Sequence, residues 1–232
     1  MLKFPAVAAT IYGPKVLKLA KKAKKLKADI IELRIDKLPD INAIYVKNLI
    51  LKIKKITKLS IIGTIRKRDE SGENLEEFIN ENERLELFKN IIPLVDFVDI
   101  ELSAKEIINN VIEESHKNNK KVIISYHNFT ETPSENFLFE IVKEAKEKKG
   151  DIIKIATYVR NSNDAVLLLN FLKNNSQNNL IIIGMGEDGI ITRLVAPILG
   201  SCITYGYVGK KAVAPGQLNI KILVDFLKNV KK

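Results

Sequence analysis

A single lysine interrupts an otherwise apolar stretch, Asp151-Ile152-Ile153-Lys154-Ile155-Ala156-Thr157. Burying that charge in the middle of a sheet costs on the order of several kcal/mol, so the amine tends to shed its proton unless a counter-charge compensates it. A neutral amine near pH 7 adds to ketones and forms a Schiff base. The competing reading is a lysine neutralised by a carboxylate such as Glu101. His127 closes the preceding apolar stretch, Lys121–His127, which places it one strand along from Lys154 and within reach of it. A neutral imidazole beside an imine can carry protons in both directions. The other histidine, His116 in EESHKNN, reads as a surface residue near a helix end.

More charge lies where strands should be greasy. Glu32, Arg34 and Asp36 are spaced two apart and share one face of a strand. A third stretch ends Thr64-Ile65-Arg66, a fourth holds Asp99 and Glu101 two apart, and a fifth ends Ser125-Tyr126-His127. Parallel strands covered on both faces normally read as continuous apolar runs. Polar residues near the ends of five consecutive strands therefore point to a common functional rim; the Asp99/Glu101 pair, taken alone, reads equally as a buried ion pair. Met185 and Tyr205 suit either the lining of that rim or the core.

The elements that must hold these residues recur regularly. Eight strand-like stretches run Val7–Tyr12, Asp29–Asp36, Ser60–Arg66, Phe97–Leu102, Lys121–His127, Asp151–Thr157, Leu180–Met185 and Cys202–Val208. Each gap has room for one helix and two short loops. Asn74–Asn90, Ser103–Asn119 and Ser134–Lys149 show the clearest amphipathic pattern, and Pro215-Gly216 is expected to open the last helix. No linker-like segment breaks the alternation, so residues 1–232 are expected to form a single α/β domain, a (β/α)8 TIM barrel, whose active site lies at the C-terminal mouth of the strands. The runner-up is an open doubly wound sheet, but its GxGxxG phosphate turn is missing after the first strand. MGEDG, Met185–Gly189, is a lone glycine turn.

Composition bounds the class. The chain has 232 residues, 46% of them hydrophobic, enough to line a sizeable core. One cysteine, Cys202, permits no internal disulfide, and no Cys/His cluster suggests a metal. No apolar run is long enough for a bilayer and MLKFPAVAAT is no secretion signal, so a cytoplasmic protein with no membrane partner is expected. The formal net charge of +10 raises a nucleic-acid reading. Its distribution argues against it: residues 1–58 carry +11 and the remainder −1, almost all of the excess as lysine at helical spacing. Such lysines form a solvated outer face, whereas base reading recruits arginine and aromatics. No nucleic-acid partner is expected.

Taken together, ELRID (Glu32–Asp36), TIRKRDESG (Thr64–Gly72), SYHNF (Ser125–Phe129), KIA (Lys154–Ala156), MGEDGIITR (Met185–Arg193) and APGQ (Ala214–Gln217) occur in an order that resembles type I 3-dehydroquinate dehydratase, over nearly the whole chain. Class I aldolases share the lysine but not this set. The resemblance implies dehydration of 3-dehydroquinate to 3-dehydroshikimate in the shikimate pathway, through a covalent imine and with no metal or organic cofactor. It implies Lys154 as the nucleophile, His127 as the proton carrier and Glu70 as the acid that orients His127. It places Glu32, Arg34 and Arg66 against substrate hydroxyls and Arg193 and Gln217 against the carboxylate, and it implies a homodimer. Two positions depart from the family pattern. Ser71 replaces a glycine, and Val213 stands where the family has a serine, so one substrate hydrogen bond is missing or supplied elsewhere. The segment Lys210–Gly216 reads as a lid that shuts out water.

Overall fold

The structure, a computed structural model, describes residues 4–67, 70, 79–210 and 212–230. Within them eight strands alternate with eight α-helices: β1 (Ala6–Ile11), α1 (Val16–Lys25), β2 (Ile30–Arg34), α2 (Ala43–Thr57), β3 (Ser60–Thr64), α3 (Glu81–Ile91), β4 (Phe97–Glu101), α4 (Ile108–Lys117), β5 (Lys121–Asn128), α5 (Glu135–Glu147), β6 (Ile152–Tyr158), α6 (Ser162–Asn174), β7 (Leu180–Met185), α7 (Ile190–Val195), β8 (Ile203–Tyr207) and α8 (Ile220–Val230). Strands pair in parallel in the order β7-β6-β5-β4-β3-β2-β1-β8. At the last seam the Cys202 amide donates to the Leu180 carbonyl at 2.8 Å. The sheet therefore curls into the expected (β/α)8 barrel rather than staying open.

Period-two alternation sorts the strand residues. Ile31, Leu33, Ile61, Val98, Ile100 and Ile153 face the helices, in the larger apolar core. Ile30, Ile62, Phe97, Ile123 and Ile152 face inward and fill the barrel floor. Two residues further along the same strands the inward position becomes Glu32, Thr64, Asp99, Ser125 and Lys154, all buried. The floor is thus apolar and the layer above it polar, on five consecutive strands. Outside, α1 buries Val16, Ala20 and Ala23, and its lysines face solvent.

The lower rim repeats a fastening every second strand. Asp29, just before β2, accepts from the Val7 amide at 2.8 Å. Asp96, before β4, accepts from Ile61 at 2.9 Å, and Asp151, before β6, from Val122 at 2.8 Å. Ser201, before β8, accepts from Ile182 at 3.2 Å. Each side chain supplies the acceptor that the first amides of the preceding strand lack. His116, half-exposed, adds a 3.0 Å contact to Asp151.

Several expected boundaries move. β2 ends at Arg34, and Asp36 lies in a 3-10 turn, Ile35–Lys37, rather than on the strand face. Arg66 lies two residues past the end of β3. The helix expected at Asn74–Asn90 begins at Glu81, where Asn80 and Glu83 form a reciprocal cap; residues 74–78 lie outside the described set, as do Ser71 and Gly72. The helix expected from Ser103 begins at Ile108. Pro215-Gly216 does not open the last helix: Gly216 has φ +69°, which no helix accommodates, and α8 starts at Ile220. Any Cβ at Gly216 would strike the Gly186 carbonyl, so the residue sits there because the chain passes that close to the turn after β7.

Candidate active site

Lys154 comes from the middle of β6 and is 5% exposed. In register it sits between Ser125 of β5 and Ile181 of β7. Its amine is not alone, contrary to the expectation of an uncompensated charge. Asp99 lies 2.9 Å away and Glu32 4.0 Å away, and the Tyr205 ring stacks against it at 4.7 Å. The carboxylate that pairs with it is Asp99, not Glu101. Asp99 is itself shared, accepting from Arg66 and Ser125 at 2.8 and 2.7 Å. Burial would raise the Asp99 pKa, but Arg66 and Lys154 outweigh it and hold the carboxyl far below the usual range.

His127 lies two residues further up the neighbouring strand. Its Nδ1 meets the Glu70 carboxylate at 2.7 Å, and Phe129 stacks on the ring at 6.0 Å. Burial and the Arg66 charge lower the imidazole pKa against the opposing pull of Glu70. The ring is therefore neutral near pH 7, with one nitrogen fixed by Glu70 and the other left to take or give a proton. Burial works against the Glu70 carboxylate, yet the His127 hydrogen bond, with Ser103 and Arg66, keeps its pKa below the ordinary value.

The remaining residues expected in the site meet around the same cavity. Glu32 accepts from Thr10 at 2.7 Å and from Thr64 at 3.3 Å. Arg34 is clamped in two places by Asp36, at 3.0 and 2.6 Å, so Asp36 positions Arg34 rather than lining the rim. Arg66 bonds Asp99, Ser125 and Glu101. Arg193, from α7, is 2% exposed. Its Nη2 donates to the Pro215 carbonyl at 3.2 Å, while Nε finds no hydrogen-bond partner and the group meets no carboxylate among the described residues. Burial alone depresses its pKa to about 10. Gln217 donates to Thr10 at 3.2 Å and accepts from the Val213 amide at 2.9 Å. Val213, which carries no hydroxyl, thus serves the site through its backbone.

Thr10 and Asp99 are the contributors that the sequence reading did not single out for these roles. The signal for Thr10 was a lone hydroxyl at an inward position of Ala6–Ile11. Asp99 was visible by spacing, but its partner was not.

The arrangement offers a buried amine and a neutral imidazole on one side of a cavity, and on its wall a buried guanidinium without a counter-ion among the described residues. A ligand carrying both an electrophilic carbonyl and a carboxylate satisfies all three.

Residues 7–232 match the family model described as Type I 3-dehydroquinase. A 3-dehydroquinate dehydratase of Thermodesulfovibrio yellowstonii is 36% identical over 97% of this chain and 95% of its own length. One of Methanococcus maripaludis is 39% identical over 90% of this chain and 91% of its own. Among solved structures, the 3-dehydroquinate dehydratase of Aquifex aeolicus superposes with a TM-score of 0.84 at 34% identity, covering 97% of this chain and 98% of that one. The type I enzyme of Clostridium difficile, solved with covalently modified comenic acid, gives 0.88 at 30% identity over 98% and 92%.

Proposed function

Since the chain belongs to the type I 3-dehydroquinase family, a dehydratase family and not the class I aldolases, we propose that it dehydrates 3-dehydroquinate by way of an imine on Lys154. The observation that carries the imine is the Lys154 amine, buried beside a cavity that also presents neutral His127 and Arg193, which meets no carboxylate among the described residues.

The residues divide the work as follows. Arg193 takes the substrate carboxylate, and Gln217 closes over it. Glu32, Arg34 and Arg66 meet the ring hydroxyls and orient the ketone toward Lys154. The amine must be deprotonated to attack, and Asp99, already bonded to Arg66, steadies its position without claiming the whole interaction. Attack on the C3 carbonyl and loss of water give the iminium, which withdraws electrons from the adjacent C2–H bond. His127 takes that proton, and the electron pair moves toward the imine nitrogen. Its return expels the hydroxyl, which leaves as water with the proton that His127 gives back. Hydrolysis of the product imine restores the amine. Glu70 holds the ring in one tautomer throughout. Of the segment Lys210–Gly216 expected as a lid, Lys211 lies outside the described residues, and the rest, which leads into Gln217, excludes water in this proposal; the homodimer implied by the resemblance is carried in it too, to be tested by the solution mass.

Borohydride added during turnover of 3-dehydroquinate should fix a reduced adduct on Lys154, seen by mass spectrometry of the peptide. Lys154→Ala should lose turnover almost entirely. Turnover without an adduct in the parent enzyme would refute the imine.

A further inference from the structure

We infer that Arg84 is a positioning residue for this reaction, one that acts through Glu101 on both Arg66 and the turn that carries Glu70. The inference rests on the imine reading of the site.

Arg84 lies on α3, outside the barrel, yet it is only 2% exposed. Its Nε donates to the Ile65 carbonyl at 2.7 Å. Nη1 reaches both Glu81 oxygens at 2.9 and 3.1 Å, and Nη2 bonds Glu101 Oε2. The opposite oxygen of Glu101 accepts from Arg66 Nη1 and from the Lys67 amide, each at 2.9 Å. Glu101 is therefore a joint, with Arg84 on its outer side and two pieces of the site on its inner side. Lys67 is in turn tied to Glu70, whose amide donates to the Lys67 carbonyl at 3.1 Å and whose carboxylate holds His127.

The same contacts make a chain of alternating charge: Lys154, Asp99, Arg66, Glu101, Arg84, Glu81. It runs from the cavity to a partly exposed carboxylate on α3. A contact needed only to seat α3 is better made by apolar groups, since buried ions gain little net stability. Leu87, Phe88 and Ile91 of the same helix already make it. What an apolar residue cannot supply is a positive charge that occupies Glu101. Without that charge, Glu101 draws Arg66 from Asp99, and His127, whose imidazolium Arg66 disfavours, holds a proton more tightly. The charged and titratable groups that face Lys154 and His127 are Glu32 and Arg34 from β2, Arg66 and Glu70 from the segment after β3, Asp99 from β4, Arg193 from α7 and Tyr205 from β8. β1 presents Thr10, and β7 presents Ile181 and Ile183, with no charge.

The test is the rate of borohydride trapping and of turnover against pH, with folding followed by circular dichroism. In the parent the acid limb lies below about 6.5, the ordinary imidazole value, because burial and Arg66 disfavour the imidazolium. Arg84→Gln should move the limb up by about one pH unit, losing roughly tenfold at pH 6 and recovering to within about threefold of the parent by pH 9. Arg84→Lys, which keeps the charge, should leave the limb at the parental pH. Glu81→Gln requires no buried replacement and should move the limb down; if Arg84→Gln does not fold, this variant decides. A loss in Arg84→Gln that is uniform in pH, or a parental or raised limb in Glu81→Gln, overturns the role of Arg84. A parent that turns over without trapping at Lys154 refutes the imine instead, so the two failures are distinct.

Discussion

Arg193 shows most directly what a single residue gives up for function. It is buried, the one hydrogen bond its guanidinium makes among the described residues is to a backbone carbonyl, and burial alone sets its depressed pKa. A buried charge without a partner destabilises the folded state. Arg193→Met should therefore raise the melting temperature while raising KM for 3-dehydroquinate by roughly 10- to 100-fold, the range of a charge-assisted hydrogen bond of about 1.5–3 kcal/mol. Steady-state kinetics beside a thermal melt check both halves; an unchanged KM would remove Arg193 from carboxylate binding. At this scale the sequence was legible wherever a charge broke an apolar strand, as at Lys154, Glu32 and Asp99. It was silent where a charge sat in a pattern that tolerates it. Arg84 in ENERLELFKN reads as the polar side of an amphipathic helix, and only the fold turns it inward. The partner of Lys154 was equally out of reach, because spacing along β4 cannot tell which of two carboxylates lies beside a lysine two strands away.

Among the elements, strands were located within one or two residues, since burial on both faces leaves continuous apolar runs. Helix starts were less accurate. Ser103–Ile107 carries the right periodicity for α4 yet folds as turns, tied by Ala104 to Glu101 and by Ile107 to Ala104. The fastenings below the barrel were not seen at all, because an aspartate before a strand looks like an ordinary loop residue. They predict a clean separation of stability from catalysis. Asp151→Ala leaves the Val122 amide without its acceptor and frees His116, and should cost about 1–2 kcal/mol in urea unfolding. Asp151 lies at the opposite end of β6 from the mouth, so kcat should stay within about twofold of the parent. A matching loss of kcat would mean that the floor and the mouth are coupled.

For the whole molecule, the buried groups at the mouth set how stability follows pH. Asp99 and Glu70 are held below their ordinary values, so their contribution is complete above about pH 4 and is lost as pH falls toward their folded values. The His127 pKa is lowered too; the unfolded chain binds that proton first, so stability also declines as pH falls below about 6.5. Urea midpoints should rise from acid to neutral pH in two steps. His127→Asn should erase the upper one, and an upper step that survives would assign it elsewhere. The surplus of positive charge plays no part in this, because it lies on the solvent faces of α1 and α2. The Asp29, Asp96, Asp151 and Ser201 contacts carry a different implication. Each braces the base of one seam, and the seams between them join the braced pairs through the backbone ladder. Damage to one clasp therefore loosens the base of one seam while the ladders on either side still hold its strands in the ring.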